Sequence, residues 1–466
     1  MKRALINFII LITIVITTSF STLAQGWTPV GISGFSAAAT GQTSIVIDKN
    51  NTPYVVYQDA TVNYGPTVMK YNGSSWVNVG IPGFSGGPVA EFSNVAIALD
   101  TGGTPYVVYG DGTATKAVYP ASVMKYSDTS WVYVGSPDFT LPQAVATCIA
   151  IDRKGTPYVF YSDGTGGGFK AAVMKYNDTA WVNVGPVGFS SGQVNYCSIA
   201  IDSSGTPYVA YSGCGTTCGA IVMKYNGTAW VYVGSPAFSA GEAWYTSIAI
   251  DAGGTPYVVY MDMANSGKAT VMKYNGSNWV TVGSAGFSAG QVATTTIAID
   301  HSGTPYVVYE EAPPSANGPA TVMKFNGSNW ITVGSVGFSG GEAQYTSIAI
   351  DTGGIPYVVY EDSINNWKAT VMKADSTTTV KNITNHATSS LTIFPNPNHN
   401  SFTLKISTYT KEPATITITN ILGEKLKQLT TNTNTDTNIE LNAPPGMYFV
   451  SATTTEGNQT AKLEIW

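Results

Sequence analysis

The sequence predicts an all-β protein, a seven-bladed β-propeller followed by a small immunoglobulin-like β-sandwich. The first observation behind the propeller is a Pro-Tyr phrase, completed by a β-branched run and a second Tyr, that recurs at a spacing of 49 to 52 residues. The second is a composition rich in Val, Ile, Tyr and Thr with little helical periodicity. A fixed period of this size is typical of a β-repeat array. The prolines of the seven copies are Pro53, Pro105, Pro157, Pro207, Pro256, Pro305 and Pro356.

Each copy contains four short strand patterns, as residues 247–288 illustrate. In that copy they read SIAID, PYVVY, ATVMKY and WVTVG. The first two are separated by Asp251 to Gly254, and the last two by Asn275 and Gly276. Because Gly accepts a positive φ and Asn tolerates it, both separators favour hairpins. Four antiparallel strands per copy, seven times over, predict propeller blades.

The two ends of the array are out of phase. The tryptophan that opens the fourth strand occurs at Trp27, Trp76, Trp131, Trp181, Trp230, Trp279 and Trp330. Trp27 precedes any first strand, whereas the last copy stops after its third strand at Val371 to Lys373. We therefore expect Gly26 to Gly31 to supply the missing fourth strand of the last blade and to close the ring, leaving no open sheet edge.

The N-terminal region has the pattern of an export signal. Lys2 and Arg3 precede an apolar run that is followed by small residues up to Ala24. We interpret residues 1–24 as a signal peptide; a transmembrane anchor is the alternative, but the apolar run is short. The predicted domains are then the propeller at 25–373, a polar linker at 374–390 and the sandwich at 391–466.

The net charge and the cysteine content limit the classes of function that the chain can have. The net charge is −6, and Arg153 is the single arginine after the predicted signal peptide, which argues against nucleic-acid binding. Disulfides persist in exported proteins. We expect a local bridge between Cys214 and Cys218, and Cys148 and Cys197 to come within reach on neighbouring blades. A metal site is the rival interpretation of the cysteines, but no histidine lies near them in the sequence.

Most repeated side chains are best explained by packing. Each blade buries the same wedge against its neighbour. Accordingly, the seven tryptophans are matched by Phe35, Phe84, Phe139, Phe189, Phe238, Phe287 and Phe338. Seven lysines lie on the third strands, far from the axis, where their stems cover apolar surface. They are Lys70, Lys125, Lys175, Lys224, Lys273, Lys324 and Lys373.

Function is expected where copies differ. The ends of second and fourth strands meet the starts of third and first strands at one side, the long-loop rim, whereas the opposite tight-turn rim leaves little room for a pocket. Trp244 and Trp367 fall in long-loop positions, and their candidate neighbours are Glu242, Tyr245, Glu342, Tyr345, Glu91, Phe92 and Tyr196. Six of the seven copies also carry a carboxylate beyond the second strand, and Gly213 occupies this position in the remaining copy, the fourth. These are Asp59, Asp111, Asp163, Asp262, Glu311 and Asp362.

Aromatic rings beside carboxylates suit carbohydrate, because sugar faces stack on the rings and hydroxyls donate to the acids. The structural alternative is that the acids bind backbone N–H groups of the loops. Calcium is a further alternative, although no spacing forms a known calcium loop; no other cofactor or metal is predicted. No catalytic residue is predicted either, because His301 lies in a tight turn and His386 and His399 lie outside the propeller. A glycosidase that uses two rim carboxylates remains an alternative.

The C-terminal segment resembles a known family. Its motifs are Ile393 to Pro397, Ile421 to Glu424, Pro445 to Val450 and Lys462 to Ile465. In this order they resemble the C-terminal sorting domain of the type IX (Por) secretion system, although Trp466 stands where such domains commonly end in Lys or Arg. The resemblance implies passage through the periplasm, recognition by the type IX machinery, and release or attachment at the cell surface.

The propeller is similar in architecture to seven-bladed lectins of the tectonin or tachylectin type, a likeness that transfers no activity by itself. The sequence predicts a secreted or surface-displayed binding propeller whose partner is a glycan. The alternatives are an adhesive or structural protein that binds a surface protein, and a carbohydrate-active enzyme. Neither a nucleic-acid partner nor a membrane span is predicted.

Overall fold

The computed structural model describes residues 26–90, 94–113, 119–140, 144–214, 218–311, 318–375, 390–407, 411–421, 423–454 and 457–466. The chain divides into two compact units between residues 376 and 377. No helix among the described ranges is long and apolar enough to cross a membrane.

The first unit contains seven four-stranded antiparallel sheets, the blades, as the sequence predicts. The first strands are Thr40–Ile47, Ala96–Leu99, Ala144–Ile151, Gln193–Ile201, Ala243–Ile250, Val292–Ile299 and Ala343–Ile350. The second strands are Pro53–Asp59, Pro105–Gly110, Pro157–Asp163, Pro207–Cys214, Pro256–Asp262, Pro305–Glu311 and Pro356–Asp362. The third strands are Gly65–Tyr71, Ala121–Ser127, Lys170–Tyr176, Cys218–Tyr225, Lys268–Tyr274, Ala320–Phe325 and Lys368–Ala374. The fourth strands of blades 1 to 6 are Trp76–Asn78, Ser130–Tyr133, Trp181–Asn183, Trp230–Tyr232, Trp279–Thr281 and Trp330–Thr332.

The fourth strand of blade 7 comes from the N-terminal side of the chain. Trp27–Pro29 pairs antiparallel with the third strand of that blade, with Trp27 opposite Ala374 and Thr28 opposite Lys373. The indole of Trp27 also donates to the carbonyl of Val333 in blade 6, at 2.8 Å. Strand pairing therefore joins residues more than 340 positions apart, as the phase shift of the repeats predicts.

The outer parts of neighbouring blades share one packing unit. In each unit the Phe ring that follows a fourth strand stacks on the Trp of the next blade, as Phe84 does on Trp131 with a centroid distance of 4.0 Å. That indole donates to a backbone carbonyl of the preceding blade, from Trp131 to Val79 at 2.7 Å. Such an aromatic pair contributes about 1 kcal/mol beyond its buried area. The unit occurs at all seven blade junctions, including Phe338 with Trp27.

The repeated lysines cover aromatic surface, which agrees with their structural interpretation. The ammonium of Lys224 lies 5.9 Å from the ring centroid of Tyr208, and Lys273 lies 5.8 Å from that of Tyr257. Six of the seven lysines make this contact with the Tyr of their own blade. The stem covers the ring while the charge stays near water.

Short 3-10 helices follow four of the second strands on the long-loop rim. They are Ala60–Val62, Thr165–Gly167, Met263–Asn265 and Ser363–Asn365. In blades 1, 5 and 7 the last residue of the second strand, an Asp, accepts a hydrogen bond from the helix backbone and so acts as its N-cap.

The second unit is a β-sandwich. One sheet contains Ser390–Phe394, Ser401–Ser407 and Asp436–Glu440. The other contains Lys425–Asn432, Pro413–Asn420, Gly446–Thr454 and Gly457–Ile465. Alternate residues of both sheets build one core, in which Leu404, Ile416, Val450 and Leu463 are fully buried. This pattern, with inward apolar and outward polar residues, is what a two-sheet domain requires.

Candidate functional site

The first strands of neighbouring blades line the axis and are joined by threonine hydroxyls. Thr246 Oγ1 in blade 5 donates to the carbonyl of Tyr196 in blade 4 at 2.5 Å. The same bond joins Thr295 to Tyr245 at 2.6 Å, and Thr43 in blade 1 to Tyr345 in blade 7 at 2.7 Å. Blades 1 and 7 are therefore linked in the same way as blades 4 and 5.

A β-bulge interrupts these first strands close to the long-loop rim. The pairing register shifts in blades 1, 3, 4, 5, 6 and 7. The bulge residue has a positive φ in five of them: Gln42, Ala146, Tyr196, Tyr245 and Tyr345. A non-glycine residue in this conformation costs about 1 kcal/mol or more. Bulges of this kind occur next to functional sites, where they redirect a side chain.

Three of the bulge residues are tyrosines, and two of them touch. The rings of Tyr196 and Tyr245 lie 4.5 Å apart between centroids, tilted by 47°. Burial, followed by the neighbouring Tyr196, raises the pKa of Tyr245 to about 12. Tyr345 lies near enough to contribute to the same shift and is 45% exposed. The bulges thus present aromatic faces to solvent at the inner edge of the rim.

Two buried glutamates belong to the same region. Glu310 in blade 6 is 2% exposed and accepts a hydrogen bond from the Thr346 backbone N–H at 3.1 Å. Glu361 in blade 7 is 4% exposed and accepts from the Gln42 backbone N–H, while its Oε1 has no partner among the described residues. Neither forms a salt bridge within that part of the chain.

Burial changes the proton affinity of both carboxyls. Desolvation raises the pKa of Glu310 to about 7, against hydrogen bonds from Thr294 and Thr346 that lower it. Desolvation, together with the charge of Glu310, raises the pKa of Glu361 to about 8, against the hydrogen bond from the Gln42 backbone that lowers it. Buried acids titrating near neutral pH are uncommon and cluster at functional sites.

Glu310 and Glu361 were not singled out in the sequence, because the carboxylate series predicted there lies one position later on the second strands. At the equivalent position the other blades carry Gln58, Gly110, Ser162, Ser212 and Met261. Acids therefore occur there only in the adjacent blades 6 and 7. We name the group formed by Gln42, Tyr196, Tyr245, Tyr345, Glu310 and Glu361 the axial mouth.

The predicted carboxylate series lies one residue further along and is engaged in the loops. Asp59, Asp163, Asp262 and Asp362 are buried. The Asp262 carboxylate, for example, accepts from the Ala264 backbone N–H at 3.1 Å and from Thr270 Oγ1 at 2.8 Å. Asp111 accepts from Thr113, and Glu311 from Thr321. The bonds from the backbone N–H groups of Ala264 and Thr113 are of the kind that the structural alternative predicts, whereas Thr270 and Thr321 donate side-chain hydroxyls.

The remaining predicted residues are distributed along the rim. Trp244 is 36% exposed, directly before Tyr245 in blade 5, and Glu242 is exposed at the same strand end. Glu342 accepts from Gln344 Nε2 at 3.0 Å. Trp367 is half-buried in the loop of blade 7, where its carbonyl accepts from the Thr40 backbone N–H at 2.9 Å. Glu91 and Phe92 lie outside the described residues.

Clefts lie at both rims, although the tight turns were expected to leave little room for a pocket. A cleft of about 600 Å³ does lie at the long-loop rim, lined by Asn94, Ala146, Phe169 and Tyr196 among others. However, clefts of about 430 and 540 Å³ lie between blades 3 and 4 and between blades 4 and 5 at the tight-turn rim. Neighbouring blades diverge with distance from the axis, so a wedge opens between them even where each turn is short.

The cysteines have two different environments. Cys148 Sγ and Cys197 Sγ, on first strands of adjacent blades, are free thiols 3.4 Å apart. Burial, followed by the contact with Cys197, raises the pKa of the Cys148 thiol. Cys214 and Cys218 stand directly opposite each other at the end of a hairpin in blade 4. The bridges remain predictions.

A metal site is not apparent within the described ranges, because no three His, Cys, Asp or Glu side chains come together there to hold an ion. Calcium binding remains an untested alternative.

Comparisons with known proteins bear on each unit separately. Curated protein sequences give no significant match. The lectin BP39L from Burkholderia pseudomallei matches with a TM-score of 0.51 and 14% identity, over 73% of this chain and 97% of its own. An ulvan lyase of polysaccharide lyase family PL25 matches with a TM-score of 0.50 and 14% identity, over 73% of this chain and 94% of its own. At this identity the likeness shows the fold alone.

The second unit is assigned by its sequence. Residues 392–465 match the family described as the secretion system C-terminal sorting domain, which covers the motifs that suggested it. The chain therefore carries a Por-type sorting domain that directs it through type IX secretion to the cell surface or the extracellular space.

Proposed function

We propose that the propeller binds carbohydrate at the axial mouth. The observation that carries this proposal is the set of strained, partly exposed tyrosines on the first strands, with two buried glutamates beside them. Sugar rings stack their apolar faces on aromatic side chains, and their hydroxyls donate to carboxylates. Both kinds of contact are available here within one group of four neighbouring blades, from blade 4 to blade 7, with Gln42 adjoining from blade 1.

The expected affinity for one sugar unit is low. A stacking contact contributes about 1 kcal/mol, and a net hydrogen bond contributes a similar amount. Three or four such contacts give a dissociation constant on the order of 1 mM. Useful binding therefore requires a polymer that engages several chains or several subsites at once. A protein exported to the cell surface or beyond it meets such polymers, which fits the sorting domain.

The two structural neighbours are compatible with this class of ligand. One is named a lectin and the other a polysaccharide lyase. Their low identity gives no reason to place a ligand of either protein in this chain. They support the proposal only as evidence that this architecture occurs in proteins of carbohydrate binding and cleavage.

A glycan array on the full-length chain tests the proposal. We expect binding to a subset of glycans, reduced about fivefold by Tyr245→Ala and by Tyr345→Ala, because each removes a stacking contact of about 1 kcal/mol. Tyr232→Ala is the matched control, because Tyr232 is a 38% exposed tyrosine on an outer fourth strand. The absence of any glycan ligand at high protein concentration, or an equal loss in the control, contradicts the proposal.

Polysaccharide cleavage is the second candidate function, because Glu310 and Glu361 are buried acids with pKa values near neutrality. A carboxyl of this kind serves as a general acid or base near neutral pH. Release of new sugar ends from the array's best ligand, lost in Glu310→Gln and Glu361→Gln, supports cleavage. Binding without any release of ends leaves the lectin-like function alone.

A further inference from the structure

The glutamates of the axial mouth form no salt bridge with a lysine or arginine among the described residues. The charge of Glu342 adds to the cost of ionising Glu310, and the charge of Glu310 adds to that of Glu361. The salt bridges among the described residues lie in the other unit of the chain. When they are ionised, three neighbouring glutamates without a salt-bridge partner among the described residues create a negative potential in a partly buried place.

One oxygen of this group lacks a hydrogen-bond partner. Glu361 is 4% exposed, and its carboxylate accepts from Gln42 of blade 1, but Oε1 has no donor among the described residues. Leaving a buried acceptor unpaired is costly, so native proteins usually supply a donor. A ligand that brings N–H donors and positive charge satisfies this oxygen and the potential together.

The tyrosines complete the recognition of a cation. Tyr345 lies within the electrostatic reach of both Glu310 and Glu361, and Tyr245 within that of Glu310 and Tyr345. Aromatic faces attract ammonium groups, most strongly where water is displaced. The arrangement thus combines rings and carboxylates, with Gln42 and the hydroxyls of Thr294 and Thr346 as the polar neighbours.

We propose that the axial mouth selects a glycan bearing ammonium groups, such as a polymer of amino sugars. This inference rests on the proposed carbohydrate-binding function and specifies its ligand. The ammonium donates to Glu361 Oε1 and to the Glu310 carboxylate, while Tyr245 and Tyr345 contact the sugar and the charge. A metal ion fits less well, because calcium takes six to eight oxygens and the described residues offer no group of three acidic or other metal-binding side chains.

Protonation and binding compete at this site. The carboxyls hold protons up to about pH 7 for Glu310 and pH 8 for Glu361. A ligand of fixed positive charge binds the ionised carboxyls and must displace those protons. Its affinity therefore rises with pH through this range.

The test compares three forms of one sugar by calorimetry on the full-length chain: a glucosamine tetramer, its N-acetylated form and its N-trimethylated form. At pH 7 we expect the glucosamine tetramer to bind at least tenfold tighter than the N-acetylated one. The trimethylated form, charged at every pH, should gain at least threefold in affinity from pH 6 to pH 9. Glu361→Gln should reduce both effects, and the double variant Glu310→Gln, Glu361→Gln should remove them.

Asp178→Asn is the matched control for charge. Asp178 is an exposed acid in a tight turn with a φ of 73°, a conformation that Asn tolerates. This variant loses the same charge as Glu361→Gln but should keep the preference for the amine.

Three outcomes overturn the inference in distinguishable ways. Equal affinity for the amine and the N-acetylated form, with tyrosine-dependent glycan binding retained, refutes ammonium selection and leaves the proposed function standing. Poly-lysine that binds as tightly as the tetramer shows that the ligand is not a glycan in particular. If neither Tyr245→Ala nor Tyr345→Ala changes the affinity for any glycan, the proposed carbohydrate-binding function of the axial mouth is refuted as well.

Discussion

The side chains at the outer junctions are the same in every blade, whereas those at the axial mouth differ from blade to blade. At every junction the same Phe stacks on the same Trp, with centroids 4.0 to 4.6 Å apart. At the axial mouth, the aromatic bulge residues among those that the structure describes lie in blades 4, 5 and 7, and the buried glutamates in blades 6 and 7. What repeats holds the blades together, and what differs is available for recognition.

The largest expected effect comes from the junction that joins the two ends of the propeller. Trp27→Ala removes the stacking on Phe338 and the bond to Val333, and should lower the free energy of unfolding by about 4 kcal/mol. Deletion of residues 27–30 should lower the melting temperature further. Chemical denaturation measures the first effect, with Tyr345→Ala at the axial mouth as the comparison. A Trp27→Ala protein as stable as the wild type contradicts the role of this strand.

The buried glutamates should make stability depend on pH. The ordinary pKa of Glu is 4.5, whereas Glu361 in the folded protein has a pKa of about 8. Between these values the folded state binds more protons than the unfolded state, so stability falls as pH rises from about 4.5 to 8 and is level above it.

Glu361→Gln removes this penalty. We expect the difference in unfolding free energy between pH 5 and pH 9 to shrink by about 3 kcal/mol, as urea denaturation at the two pH values would show. Asp178→Asn should leave it unchanged. An identical pH dependence in wild type and Glu361→Gln would mean that this carboxyl is not held protonated.

Cys148 and Cys197 occupy the positions of the Ser and Thr side chains that form hydrogen bonds between the first strands of other neighbouring blades. Cys197 stands where Thr246 and Thr43 stand in other blades, and Cys148 where Ser198 and Ser247 stand. Their sulfurs are 3.4 Å apart, and we expect them to oxidise to a disulfide once the protein is exported. The bridge should stabilise the propeller by about 3 kcal/mol.

The double variant Cys148→Ser, Cys197→Thr restores the link found in the other blades. Its melting temperature should not respond to reductant, whereas that of the wild-type protein should fall. Mass spectrometry of the secreted protein under non-reducing conditions identifies the bridge. Two thiols that remain free after export contradict the prediction.

The smallest effect concerns the carboxylate series of the loops. Asp262→Ala removes bonds to the 3-10 helix and to Thr270, and should cost about 1.5 kcal/mol of stability. Glycan affinity should stay within twofold, because this acid is engaged in its own loop. A loss of glycan binding at unchanged stability would mean that Asp262 contributes to ligand binding.

The sequence was sufficient for the blades because each carries its own pattern. Period, turn residues and the displaced Trp27 together predicted the strands and the pairing of residues 26–31 with residues 371–373. The structure pairs Trp27–Pro29 with residues 372–374. Glu310 was not singled out because it lies one position before Glu311 of the predicted series, and a single position along a strand reverses the face of a side chain. The bulges at Tyr196, Tyr245 and Tyr345 have no sequence signal, since a positive φ is uncommon for tyrosine and no residue type at these positions announces it.

A crystal structure of the full-length chain with the tightest glycan from the array tests the central claim most directly. The account predicts sugar in contact with Tyr245 and Tyr345 and within hydrogen-bond distance of Glu361. Sugar confined to the clefts between blades at the tight-turn rim, beside Lys224 and Tyr225 for example, would contradict it.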